Sequence, residues 1–286
     1  MTFARPRRSA LYLPASNARA IEKSRTLPCD VVILDLEDAV APDSKILART
    51  QACAAAREGG FGTRELIIRV NGLETPWGAD DLAAAAAAGA DAILVPKIAA
   101  PADIAAYAGA LPAAASIWLM IETCRSLFHL DAIGALSAAS RVAVWVIGSN
   151  DLAKEMQCRP GAARTPLIAP LSLAVAASRA HGLAILDGVT NDIDDAETLA
   201  LQCAQGAEMG FDGKTLIHPS QIDAANRAFS PDAAEIAWSR TIVAAFAAEG
   251  AADKGVLRVD GRMVERLHLV RARQVIAVSD AIAAPR

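Results

Sequence analysis

Aromatic residues are scarce in this 286-residue sequence, at 4%. No stretch approaches the roughly 20 apolar, uncharged residues that a membrane-spanning helix requires, so no transmembrane segment is expected. The five cysteines (Cys29, Cys53, Cys124, Cys158 and Cys203) are odd in number and never spaced C-x-x-C. That argues against a disulfide framework and against a zinc site, and they read as reduced, mostly buried thiols. Basic charge is not in excess: the formal net charge is −4, which disfavours nucleic acid as the main partner. Arg5, Arg7 and Arg8 lead only into the short run Ala10-Leu-Tyr-Leu-Pro14, too brief for a signal-peptide core. The expected location is therefore the cytoplasm.

What is present is a globular composition, 53% hydrophobic and 21% charged, which excludes a disordered chain. Much of the apolar share is alanine, as in Ala83 to Ala88, which favours helix but adds little buried area. Eight short apolar runs predict strands at Ala10–Leu13, Val31–Leu36, Leu66–Val70, Ala92–Val95, Ile117–Ile121, Val142–Ile147, Ala184–Leu186 and Thr215–Ile217. They are continuous rather than alternating, the mark of strands buried on both faces. Helix-start signals such as Pro42-Asp-Ser44 and Pro101-Ala-Asp103 lie between them. Eight such units predict an α/β (β/α)₈ barrel over residues 1–228, with 229–286 left as a C-terminal helical segment, a lid or an oligomer contact. A doubly wound open sheet is the alternative, but no G-x-G-x-x-G follows the first strand.

In such a barrel, polar residues at the carboxyl ends of the strands face the catalytic mouth. Those positions hold Ser16 and Asn17, Glu37 and Asp38, Arg69 and Asn71, Lys97, Glu122, Asp151, Asp187 and His218. Glu122 and Asp151 follow fully apolar runs, and an oxygen-only pair suits Mg²⁺; the alternative is that each acid caps the next helix. Arg69 within an apolar strand needs an anionic partner. It is either an ion pair with Glu37 or Asp38, or an oxyanion clamp, or both. Gly213-Lys214-Thr215 lacks the earlier glycine of a phosphate-binding loop, since Glu208 stands in its place. Lys214, His218 and Ser220 could still meet a phosphorylated cofactor after the last strand; otherwise Lys214 is solvated and His218 packs at the rim.

In order, Arg8-Ser-Ala-Leu-Tyr-Leu-Pro14, Leu34-Asp-Leu-Glu-Asp-Ala-Val40 with Lys45 and Arg49, Ile68-Arg-Val-Asn71 and Val95-Pro-Lys97 lead to Ile121-Glu-Thr123, Gly148-Ser-Asn-Asp-Leu152 and Phe211-Asp-Gly-Lys-Thr-Leu-Ile-His-Pro-Ser-Gln-Ile222. This pattern, covering about residues 7 to 225, resembles the citrate-lyase-β-like branch of the HpcH/HpaI aldolase superfamily. The resemblance implies Mg²⁺ held by Glu122 and Asp151 with Arg69 beside it, coenzyme A near Arg8 and Lys214, and a trimer or hexamer. Relatives acting on CoA thioesters often carry Gly-x-Met-Ile-Asp in the C-terminal segment, whose aspartate reaches a neighbouring subunit. Here the run is Gly261-Arg-Met-Val-Glu265, one methylene longer at the acid.

These readings give a candidate catalytic set of Arg69, Glu265, Glu37 and Asp38. The candidate substrate- and cofactor-binding set is Arg8, Arg69, Lys97, Lys214 and His218. The expected activity is magnesium-dependent cleavage or formation of a carbon–carbon bond in a short 3-hydroxyacyl-CoA, such as malyl-CoA or citramalyl-CoA. A metal-dependent aldolase on free 2-oxo-hydroxy acids and a citrate-lyase-type subunit working on an acyl-carrier thioester with partner chains are the alternatives.

Overall fold

The computed structural model describes residues 5–248 and 254–284. The chain forms two compact units, one spanning residues 7–229 and the other the described residues among 1–6 and 230–286. In the first unit strands and helices alternate. The strands are β1 (Ser9–Pro14), β2 (Val31–Asp35), β3 (Glu65–Arg69), β4 (Ala92–Val95), β5 (Ile117–Ile121), β6 (Val142–Ile147), β7 (Ala184–Asp187) and β8 (Gly213–Leu216). The helices of this unit are α1 (Ala18–Ser24), α2 (Lys45–Glu58), α3 (Gly78–Ala86), α4 (Pro101–Ala110), α5 (Cys124–Leu127), α6 (Leu130–Ala139), α7 (Ser149–Glu155), α8 (Ile168–Ala180), α9 (Ala196–Met209) and α10 (Ile222–Ala228).

The strands pair in parallel and in chain order, and β8 returns to β1 with Ser9 opposite Lys214, closing the barrel. The burial pattern is consistent with closure, because a strand apolar on both faces needs packing on each side, here the barrel interior and the surrounding helices. Ala10 and Tyr12, Ile33, Leu94, Trp118 and Met120 fill the interior. The intervening Leu11, Leu34, Ile68 and Trp145 pack outward with residues of the helices such as Ala48, Leu171 and Leu199. At the amino-terminal end, Arg7 pairs with Glu65 and Arg8 with Asp30, at 2.6 and 2.8 Å. No helix among the described residues is long and apolar enough to cross a membrane.

The second unit contains strands, which the sequence reading did not expect. After α11 (Ala233–Ala247) come β9 (Val256–Val259) and β10 (Arg262–Glu265), an antiparallel hairpin, and then α12 (Arg266–Ala283). Asp260 and Gly261 both adopt positive φ, 46° and 79°, as a two-residue hairpin turn demands, and Asp-Gly is a strong signal for it. Buried Val259, Val264, Leu269 and Phe246 form this unit's own core.

Trp118 is fully buried inside the barrel. Trp118→Ala should lower stability by about 3–5 kcal/mol, read as a reduced urea midpoint; an unchanged midpoint would contradict a packed interior.

Candidate active site

The carboxyl end of β2 and the last residue of β3 build one side of the mouth. Asp35 shares the inward parity of Val31 and Ile33, and its carboxylate grips Arg69 in two parallel bonds, Nε to Oδ1 at 2.7 Å and Nη2 to Oδ2 at 2.6 Å. Asp35 also accepts from the backbone N–H groups of Glu37 and Ala39, which folds the chain after β2 into a turn. Burial works to raise its pKa, but Arg69 outweighs this and holds the Asp35 carboxyl below its ordinary value. The guanidinium lies 4.8 Å from the centroid of the Tyr12 ring, and its Nη1 meets Glu37 Oε2 at 2.8 Å. Arg69 is thus fixed in plane by an acid and in height by an aromatic face.

Glu37 follows β2 and turns back into the mouth. Lys45 of α2 pins this turn, donating to the carbonyls of Leu36 and Glu37 and to Asn71 Oδ1 at 2.8, 2.7 and 2.8 Å. Burial raises the Glu37 carboxyl above its usual range, against the pull of Arg69 and Lys97. Lys97 Nζ reaches Glu37 Oε1 at 2.9 Å. Burial alone would lower the Lys97 ammonium, but Glu37 and the neighbouring carboxylates keep it above its ordinary value. Lys97 has φ of 55°, a left-handed conformation that a lysine rarely adopts and that clusters at functional sites. The same twist aims its backbone N–H at Glu122 Oε1, 2.7 Å away.

Glu122, at the end of β5, is 1% exposed. Its other oxygen, Oε2, has no hydrogen-bond partner. Burial, then Glu37 and other charges including Asp151, push its carboxyl up to about 8. Gly148 makes the room: a Cβ there would stand 2.2 Å from Glu122 Oε2. Asp151 sits in the first turn of α7, whose N-cap is Gly148, so helix capping is not the task of Asp151. The two acids expected to hold a metal therefore follow the adjacent strands β5 and β6, near enough for the charge of Asp151 to act on Glu122. Among the described residues no group of three or more His, Cys, Asp and Glu converges as a metal site. An orphaned buried carboxylate oxygen beside a second acid fits a hard cation that takes its remaining ligands from water and substrate, as Mg²⁺ does.

Two binding residues expected at the rim lie elsewhere. Lys214 is fully buried and shares the outward parity of Leu216, so it points between barrel and helices, where it meets Asp187 at 3.5 Å. It cannot touch a phosphate there. Arg8 precedes β1 and is bound to Asp30 at the opposite, amino-terminal end. His218 does stand at the rim, exposed, with Nδ1 2.7 Å from Ser220 Oγ. Asp38 is an exposed neighbour of Glu37. Glu265 ends β10 in the second unit, where its backbone N–H donates to His268 Nδ1 at 2.9 Å. The reading of the sequence missed Asp35, Tyr12 and Gly148 as parts of the site. Strand parity placed the first two inward, and a glycine directly after an apolar strand signalled the third.

A carboxyl raised from 4.5 to about 8 makes the folded protein bind an extra proton between those values. The penalty for ionising it in the folded state is thus absent below about pH 4.5, and the folded state loses stability as pH rises toward 8. In chelator at pH 8, Glu122→Gln should melt higher than the parent protein, with the difference closing as pH falls to about 4.5. A variant that melts lower at pH 8 would contradict the stranded charge.

A family model described as HpcH/HpaI aldolase/citrate lyase matches residues 8–219. The chain is 47% identical to a (3S)-malyl-CoA thioesterase of Cereibacter sphaeroides, over 99% of this chain and 98% of the relative. It is 32% identical to an L-malyl-CoA/β-methylmalyl-CoA lyase of the same species, over 98% of this chain and 97% of that one. Among solved structures, protein CitE from Mycobacterium tuberculosis, in complex with magnesium, acetoacetate and coenzyme A, aligns with a TM-score of 0.76 at 27% identity, covering 97% of this chain and 99% of that chain. With a closed eightfold barrel, a clamped Arg69 and the Glu122–Asp151 pair at its mouth, the chain belongs to the HpcH/HpaI aldolase/citrate lyase family.

Proposed function

We propose that this chain is a magnesium-dependent enzyme that hydrolyses the thioester of a short 3-hydroxyacyl-CoA of the malyl-CoA kind. The observation that carries the metal-dependent part is Glu122 Oε2, buried without a partner on a carboxyl pushed up to about 8. The substrate class is supported by relatives that are 47% identical and named (3S)-malyl-CoA thioesterase. Glu122 and Asp151 would hold the ion, leaving its other positions to water and to the carboxylate and hydroxyl of the acyl group. Lewis-acid polarisation of the oxygens it carries is the chemistry a bound ion supplies.

The chain's own residues do the rest. Arg69, immobilised by Asp35 and Tyr12 before substrate arrives, offers its charge to the oxygen that turns anionic as water adds to the thioester carbonyl. Glu37, held between Arg69 and Lys97, takes the proton of that water. When the C–S bond breaks, the same proton goes to the departing sulfur, giving free CoA thiol and a carboxylic acid, whose remaining proton is lost to water to leave the carboxylate. Hydrolysis protonates no carbon, so the longer acid at Glu265 costs this reaction nothing. Assembly as a trimer or hexamer is part of the same proposal.

Carbon–carbon cleavage is the second reading, supported by the lyases at 32% identity. There Glu37 would deprotonate the 3-hydroxyl, Arg69 would stabilise the thioester enolate, and Glu265 of a neighbouring copy would protonate its carbon.

Mass spectrometry of products from (3S)-malyl-CoA separates the two. Hydrolysis yields malate and free CoA, and cleavage yields glyoxylate and acetyl-CoA. We expect the first pair, released with Mg²⁺ and not in chelator, with Asp151→Asn at least about 100-fold slower. Full turnover in chelator, or no reaction of any short 3-hydroxyacyl-CoA, would contradict the proposal.

A further inference from the structure

Lys214 takes no part in the reaction outlined above, yet burying an ammonium in a protein interior is costly and needs a compensating arrangement. That arrangement is a cluster on the outer side of the barrel. Arg164 Nη1 donates to both oxygens of Asp187 at 2.7 and 2.8 Å. Asp187 faces α9, since a Cβ on Gly206 of that helix would be 2.9 Å from its Oδ2. Lys214 Nζ pairs with Asp187 and donates to the carbonyl of Gly188. The Arg164–Asp187 pair is charge-balanced by itself, so Lys214 is not needed to neutralise it. What Lys214 adds is a grip on Gly188.

Gly188 opens the loop that follows β7, and this loop leans on the start of α7. A Cβ at Gly188 would lie 2.5 Å from Ser149 Oγ. Three residues on, Asn191 exchanges two amide hydrogen bonds with Asn150, at 3.0 and 2.8 Å. Ser149 and Asn150 are the two residues immediately before Asp151. We infer that Lys214 is a positioning residue: by fixing Gly188 it sets the loop that, through Ser149 and the Asn150–Asn191 pair, holds Asp151 in place to share a divalent cation with Glu122. This rests on the reading of Asp151 as a metal ligand. Partners one layer behind a ligand orient it, and their loss typically weakens metal binding about 10- to 100-fold.

Calorimetric titration with Mg²⁺ alone tests the inference, together with the melting temperature in chelator. Asn191 is exposed, so Asn191→Ala should melt as the parent does while binding Mg²⁺ about 10-fold more weakly. Lys214→Met keeps the length of the stem and leaves Arg164 and Asp187 balanced; it should bind Mg²⁺ at least as weakly as Asn191→Ala. If Lys214→Met fails to fold, Asn191→Ala still decides. Asp151→Asn serves as the reference and should abolish binding. Parent-like affinity in Asn191→Ala or in a folded Lys214→Met, with binding lost in Asp151→Asn, overturns the positioning role alone. Parent-like affinity in Asp151→Asn overturns the metal site itself.

Discussion

A carboxylate oxygen shut away from water with no donor to meet it is expensive, and the fold goes to some length to create one. Glu122 is placed at the end of an apolar strand, one of its oxygens is taken by the backbone of Lys97, and Gly148 clears the space around the other. Each of these arrangements is unfavourable or wasted unless something positive occupies that space. Lys97 accepts a left-handed backbone, and Asp151 brings a second negative charge toward the first. Such costs persist where function rather than stability has set the geometry.

Around that point the barrel divides its labour by strand parity. Inward positions carry the groups to which the proposed reaction assigns roles, with Asp35 and Tyr12 holding Arg69 rigid and Glu37 suspended between two cations. Outward positions near the same rim carry supports. The Arg164–Asp187–Lys214 cluster belongs to these, buried between the sheet and the helices. A preorganised cation lowers the cost of stabilising a developing oxyanion because nothing has to turn toward it during the reaction. The arrangement suits both of the proposed reactions, thioester hydrolysis and enolate formation, because each develops negative charge on an oxygen.

Most of the barrel was legible because strands buried on both faces leave unbroken apolar runs, and five of the eight predicted spans coincide with or differ by one residue at one end from the observed ones, namely Val31–Asp35, Ala92–Val95, Ile117–Ile121, Val142–Ile147 and Ala184–Asp187. The placement of Glu37, Arg69, Lys97, Glu122 and Asp151 at the carboxyl ends of the strands was legible for the same reason, since each stands at or just after the stop of such a run. Lys214 was misplaced because the last strand begins two residues earlier than its apolar content suggests, at Gly213, which puts the lysine inside the strand on the face of Leu216. Arg8 was misplaced because the family resemblance alone put it near the cofactor, although a residue standing before β1 falls at the amino-terminal end of the barrel. Asp35 was passed over as one residue of a run when its alternation with Ile33 marked it as inward. The hairpin of the second unit was hidden between two helical stretches, although Val256 to Glu265 carries an Asp-Gly turn between short strands.

The claim on which the account stands is that a divalent cation replaces a proton on Glu122. Calorimetry of Mg²⁺ binding in buffers of different ionisation enthalpy counts the protons displaced. With the carboxyl at about 8, binding at pH 7 should release about one proton per ion, falling toward none above about pH 9. Binding at pH 7 that releases no proton would contradict it.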